Sequence, residues 1–138
     1  MAEAAGLSQA RIGQIAVNAP DLPRAVRFYR DALRLKFLFE VPGLAFFDCG
    51  GVRLLLGPSP TPEHDHASSI LYFFVPDIRA AYTDLKGRGV AFMDEPHRIA
   101  RMPDHELWLA EFRDSEGNTL ALMSEVRPAE SLRAPSLS

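Results

Sequence analysis

His105 and Glu111 are the two side chains of this sequence whose types and spacing best suit proton transfer. They stand six residues apart in a run of strand-like character. On a regular strand they share one face with Leu107 and Leu109, while Glu106, Trp108, Ala110 and Phe112 take the other. A carboxylate and an imidazole on one cleft face could act as general acid and base. A bulge would reverse the parity and turn Glu111 outward as a surface charge, so both placements stay open. Gln14 alternates onto the face of Ala16 and Asn18, opposite Ile15 and Val17. Its amide could orient a ligand carbonyl or hydroxyl, or be a buried amide satisfied by its neighbours. His64, Asp65 and His66 are metal-ligand types, but they sit in a proline-rich stretch with no fourth donor nearby, which reads as a solvated loop. His97 and Glu106 flank the same region without a clear role. The single Cys49 reads as a small buried apolar residue.

The elements that must position these groups come in two similar copies. Gln14 to Leu22 leads into Arg24-Ala25-Val26 and Tyr29, and Ile70 to Ile78 leads into Arg79-Ala80-Ala81-Tyr82 and Leu85. The registers differ by 77 − 21 = 56 residues. Each copy is an alternating strand, a Pro-Asp helix start and an amphipathic helix, and two matched modules enclose a cleft between them. In the first copy a strand over 12–19 precedes a helix over 22–33, capped by Asp21 with Pro23 in its first turn. Strands follow over 36–40, 44–48 and 52–56, separated by Pro42-Gly43 and Gly50-Gly51 turns. In the second, a strand over 69–75 precedes a helix over 78–88 with Asp77 as cap and Gly89 at its exit, then strands over 90–93, 106–112 and 119–124. The polar run 94–104 reads as a loop able to fold over a cleft mouth. Among the large aromatics, Phe46, Phe47, Phe73, Phe92 and Trp108 read as core.

At 138 residues and 47% hydrophobic the chain is the size of one domain able to bury a core without staples. The expected division is an N-terminal extension over 1–11, a single domain over 12–125 and a frayed tail over 126–138, with modules over 12–57 and 68–125 joined by a linker over 58–67. A net charge of −3 with interspersed signs offers no basic stripe, so nucleic acid is not an expected partner. Met1 to Ser8 is small and polar, without the basic start or apolar run expected of a signal peptide, and no later stretch reads as long enough to cross a bilayer. With one cysteine, this points to a cytoplasmic protein without a membrane partner.

The order βαβββ twice over, the segment Ile15-Ala16-Val17 to Asp21-Leu22 with Phe28-Tyr29, and above all Phe112-Arg113-Asp114-Ser115-Glu116-Gly117-Asn118 before Leu120-Ala121-Leu122 resemble the vicinal oxygen chelate superfamily. That superfamily includes glyoxalase I, bleomycin resistance proteins, fosfomycin resistance enzymes, methylmalonyl-CoA epimerase and extradiol dioxygenases. The resemblance covers residues 12–125 and implies an α+β fold, two βαβββ modules in one chain forming a curved mixed sheet around a cleft with helices on the outer faces. The Asp114 to Asn118 closure leaves Ser115-Glu116-Gly117 as a three-residue hairpin loop, with Glu111 opposite Ala121. Arg34 stands where relatives often have glycine, so it is expected to take a right-handed or strand conformation and shift the helix exit.

In metal-using members, one ligand sits near the start of each module's first strand and a carboxylate on each module's last. Carried over, those positions are Gln14, Leu55, Ile70 and Ala121, of which only Gln14 could ligate anything. The resemblance therefore implies no metal ligands at the usual positions and no cofactor. A divalent metal enters only through a non-standard site from Gln14, Glu111 and His105. The first expectation is a protein that binds a small apolar or aromatic molecule through Gln14, Asn18, Leu55, Ile70, Tyr72, Phe74, Leu109 and Ala121. The alternative is a glyoxalase-type lyase or isomerase, or a dioxygenase-like enzyme, using that displaced metal or Glu111 as acid or base. The resemblance also implies a homodimer.

Overall fold

A computed structural model of the chain describes residues 6–59, 66 and 68–127. His64, Asp65, most of the expected linker and the tail beyond Arg127 lie outside the described residues. The chain runs β1 (Gln14–Asn18), α1 (Leu22–Arg27), β2 (Lys36–Val41), β3 (Leu44–Cys49), β4 (Val52–Gly57), β5 (Leu71–Phe74), α2 (Ile78–Gly87), β6 (Ala91–Phe92), β7 (His97–Arg101), β8 (Glu106–Arg113) and β9 (Thr119–Val126). The fold is α+β, with two mixed sheets and no closed barrel among the described residues. One sheet is ordered β1-β4-β3-β2. The other is ordered β5-β9-β8, with β6 and then β7 along the far edge of β8. In each sheet the first strand of the module lies parallel to the last, and the remaining pairs are antiparallel.

Both helices begin where a carboxylate can cap them. Asp21 Oδ1 accepts the Arg24 N–H at 3.2 Å, and Asp77 Oδ1 accepts the Ala80 N–H at 3.1 Å. The stripe Leu22, Ala25, Val26 and Tyr29 is buried against Val17, Ala45, Phe47, Leu54 and Leu56. Ile78 docks likewise beside Ala110, Phe112, Leu120 and Leu122, and all of these residues form one continuous core. Phe73, Phe92 and Trp108 pack on its margin, as expected of aromatics on the helix-facing side.

Four expectations need correction. The first helix is not regular to Leu33: after Arg27 it widens into a π turn over Phe28–Ala32, with the Leu33 N–H donating to the Phe28 carbonyl at 3.0 Å. The cause is one extra residue. From cap to left-handed exit there are 34 − 21 = 13 residues in the first module and 89 − 77 = 12 in the second. Secondly, Arg34 takes neither a right-handed nor a strand conformation, but sits at φ 61°, where Gly89 with φ 90° stands in the other copy. Thirdly, much of the polar run after Asp94 is the edge strand β7, paired to β8. Finally, Phe46 is not core: it points to the side away from the helices and stacks on Phe39 at 4.5 Å between ring centres.

The loop Asp114 to Asn118 forms as its sequence implies, with the Asp114 N–H donating to the Asn118 carbonyl at 2.9 Å and Gly117 at φ 86°. It also fastens the modules together. The Asn118 amide accepts from the Ser68 N–H (2.9 Å) and donates to the Asn18 carbonyl (2.9 Å) and to Asp114 Oδ2 (2.8 Å). The Tyr29 hydroxyl donates to the same Asp114 oxygen at 2.7 Å. Burial, and then the Asp114 charge, push the Tyr29 phenol far above its ordinary pKa, so it stays a donor. Glu116 accepts from the Asp21 N–H (2.9 Å) and from Arg24 Nε (2.7 Å), tying the cap of α1 to the same loop.

Candidate functional site

With the helix-facing side of each sheet filled by core, chemistry is left to the opposite sides. On the first sheet, register aligns Ala16, Leu55, Phe46 and Phe39 in one row across four strands. On the second, the corresponding row is Tyr72, Ala121 and Glu111 across β5, β9 and β8. Beside it runs Phe74, Met123, Leu109 and His97. The strand β8 carries no parity-reversing bulge against β9, so Glu111 does lie opposite Ala121, on the side away from α2. A kink sits instead on the other neighbour: between β6 and β7 the Met93 N–H donates to the Glu111 carbonyl (2.7 Å) and Asp94 Oδ1 accepts the Glu111 N–H (2.9 Å).

A cavity of about 660 Å³ opens at the junction of the modules. Four successive residues of β1, Ile15 to Asn18, line it together with Ser68, Ser69 and Leu71 at the start of the second module, and Leu55 and Gly57 of β4. Successive residues of an outermost strand present that strand's edge, so the cavity lies between the edges of the two sheets. Gly57 keeps the chain close there, since a Cβ would meet Leu44 Cδ2 at 2.7 Å and the Gly43 carbonyl at 2.9 Å. No Asp, Glu, Lys or Arg is among the described lining residues, and His66 is their one titratable side chain. The volume matches sites that enclose drug-sized molecules.

Of the sequence-based candidates, Asn18 and Leu55 lie in this wall. Asn18 is held by its N–H to Ser68 Oγ (2.8 Å) and its amide to the His66 carbonyl (3.1 Å). Gln14 is exposed at the start of β1, beside Arg53 of β4. Tyr72, Phe74, Leu109, Ala121 and Glu111 share the second sheet's open side, outside the cavity wall. Ile70 precedes β5 and is exposed.

His105 is not brought to Glu111: six strand residues separate them by about 20 Å. Its Nδ1 instead lies 2.8 Å from Asp104 Oδ1 and its Nε2 3.8 Å from Glu125, with Arg127 bridging those two acids. Burial, with Asp48 nearby, pushes the Cys49 thiol up and away from thiolate chemistry. Sequence reasoning missed the cavity edge at Ser68 and Ser69 and the stacked Phe39–Phe46 pair.

The four positions that would hold the family's metal carry almost no donor atoms. Leu55 and Ile70 offer hydrocarbon, Ala121 is a fully buried methyl, and Gln14 is a single neutral amide. This donor set does not fit a divalent ion. Among the described residues no three His, Cys, Asp or Glu side chains converge as metal ligands. No helix among them is long and apolar enough to cross a membrane.

Comparison with known proteins agrees with the fold. None of the curated proteins matches the chain. Among solved structures, lactoylglutathione lyase from Agrobacterium tumefaciens is 25% identical over 83% of this chain and 93% of its own, with a TM-score of 0.66. TnmS3, an antibiotic binding protein from Streptomyces sp. CB03234, is 24% identical over 84% of this chain and 96% of its own, with a TM-score of 0.69. A superfamily member from Sphaerobacter thermophilus DSM 20745 is 24% identical over 84% and 98%, with a TM-score of 0.68. The family model for these proteins matches residues 11–122, so the doubled βαβββ chain belongs to the glyoxalase/bleomycin resistance protein/dioxygenase superfamily.

Proposed function

We propose that this protein binds a small, largely apolar or aromatic molecule at the junction cavity without the metal centre used by enzymes of its superfamily. The observation that carries the reading is the donor set: hydrocarbon at Leu55, Ile70 and Ala121 in place of ligands, beside a cavity whose described wall holds no Asp, Glu, Lys or Arg. An apolar body would fill the space against Leu55, Ile15 and Leu71, and polar substituents would meet the hydroxyls of Ser68 and Ser69. Similarity to an antibiotic binding protein supports the reading. An enzymatic alternative would rest on Glu111 alone, because His105 lies too far away to share an atom with it.

A homodimer and a cytoplasmic setting belong to the same proposal. The strand β2 supports the first: it is exposed along its whole length, including Phe37, Leu38, Phe39 and Val41, and such an edge favours pairing with another chain. A lone cysteine supports the second.

The test has two parts. Untagged protein is exposed to nickel, zinc, manganese or iron and analysed for bound metal and melting temperature; stoichiometric metal with a raised Tm overturns the metal-free reading. Binding of the neutral dye Nile red is then compared in wild type and Leu55→Glu, where a charge in the cavity wall should weaken it about tenfold or more. Equal affinity would exclude the cavity as the site.

A further inference from the structure

Glu111 is unlike the other carboxylates on the open side of the second sheet. Glu125 on the same side is paired with Arg127 at 3.2 Å, and Asp94 at its margin accepts the Glu111 N–H. Glu111 itself is half-buried, yet among the described residues its carboxylate has neither a hydrogen bond nor an ion pair. The nearest cation in sequence on that side, Arg113, directs its guanidinium to the Gly117 carbonyl at 3.3 Å. The His97 ring faces the Glu95 carbonyl, with Nδ1 at 2.8 Å, and Asp94 at 4.0 Å.

The surroundings of this lone charge are apolar and aromatic. Tyr72 stands two strands away in the same row, and Phe74, Met123 and Leu109 make up the next. Tyr72 and Phe74 are 50% and 60% exposed, far more than aromatic side chains usually are in a folded domain. Ala121, between Tyr72 and Glu111, is fully buried although it points away from the helices. The backbone of Glu111 is pinned on both sides, to β9 through its register and to the β6–β7 kink through Met93 and Asp94. A fixed anion beside exposed ring faces is complementary to a lipophilic cation, which gains from the carboxylate and from the rings together.

We propose that the open side of the second sheet is a binding site for small organic cations, quaternary or delocalised and carrying aromatic or alkyl groups, with Glu111 as the charge partner and Tyr72 and Phe74 as the ring surfaces. This site is separate from the junction cavity. A neutral ligand in the cavity and a cation on the second sheet draw on different residues.

The experiment uses two probes of the same shape and opposite charge, tetraphenylphosphonium and tetraphenylborate, titrated into the full chain at low salt and followed by amide chemical shifts. The cation should bind about tenfold or more tightly than the anion, with shifts centred on Tyr72, Glu111 and Ala121. Glu111→Gln, which keeps shape and removes charge, should bring the two affinities within about threefold, and Tyr72→Leu should weaken the cation by a few-fold. The net charge of −3 favours any cation slightly, and the Gln variant separates that general attraction from a specific one. Unchanged cation affinity in Glu111→Gln, or shifts centred on Ile15 to Asn18, would overturn the proposal. Nile red binding is read in the same variants, so a failed cavity and a failed cation site give different patterns: loss in Leu55→Glu concerns only the first, and loss of charge discrimination in Glu111→Gln only the second.

Discussion

The two modules agree on the side that faces their helices and differ on the side that does not. Phe47 lies opposite Leu54 and Ala45 opposite Leu56 in the first; Phe112 lies opposite Leu120 and Ala110 opposite Leu122 in the second. All eight of these residues are buried. On the open side, the equivalent pairs are Phe46 with Leu55 and Glu111 with Ala121. A repeated fold needs the same packing under each helix, since interiors are close-packed and felt at the level of single methylene groups. Nothing in that requirement fixes the other surface. Between its last two strands, one copy sets a ring against a leucine, while the other sets a charge against an alanine. The last hairpins differ as well. The first turns tightly on Gly50 and Gly51, both at positive φ, and the second carries the hydrogen-bonded loop that holds the modules together.

The sharpest way to break this comparison is at that loop. Asn118→Ala removes three side-chain hydrogen bonds from a residue 1% exposed. It should lower unfolding free energy by about 3 kcal/mol in chemical denaturation, because the Ser68 N–H and Asn18 carbonyl lose their partner. A loss below about 1 kcal/mol would mean that the apolar core and the loop's bonds to Tyr29, Asp21 and Arg24 join the modules without Asn118. A smaller effect is expected at Glu116. Burial pushes its carboxyl up, but hydrogen bonds from Arg24, the Asp21 N–H and Ser115, with the Arg24 charge, outweigh this and hold it below its ordinary value. A depressed folded pKa gives stability above the unfolded value, which is lost as pH falls through the folded one. The wild type should therefore lose melting temperature more steeply than Glu116→Gln as pH falls below about 4.3. Parallel melting curves would show that the Arg24–Glu116 pair adds nothing. The smallest change is a gain. Arg34→Gly relieves a left-handed side chain and should raise stability by about 1 kcal/mol, whereas Gly89→Ala, in the other module's equivalent exit, should lower it by a similar amount.

Much of the fold could be read along the chain because each local signal agreed with its neighbours. Asp21 and Asp77 cap helices, Gly117 takes the positive φ its hairpin requires, and alternation places Tyr72 and Phe74 apart from Leu71 and Phe73. Where the local signal was ambiguous, so was the reading. Phe46 and Phe47 are adjacent, and two neighbouring aromatics cannot both face the core of a pleated strand. Composition alone does not say which one turns away. The strand β7, His97–Arg101, is polar because it is an edge, and its pairing depends on β8 rather than on its own pattern. The cavity was hidden for a different reason. Its two walls, Ile15 to Asn18 and Ser68, Ser69 and Leu71, are about fifty residues apart, and no short-range pattern brings them together. The extra residue that widens the first helix was present in the spacing of the two copies, but only the left-handed positions of Arg34 and Gly89 reveal where it was absorbed.

The loop at Asp114 to Asn118 has a consequence for how the protein is made. Its bonds to Asp21, Tyr29 and Asn18 span 95, 85 and 100 residues. On the ribosome the first module is complete long before those partners emerge. During that interval the Tyr29 hydroxyl and the Asn18 carbonyl must rely on water, and the first module has no second module to dock against. Its own helix and four strands can assemble early, but assembly of the two halves waits for the last hairpin. A chain whose synthesis stops before Asn118 would carry a whole first module and a second without β9, its seam unfinished and open to the same segment of a neighbouring chain.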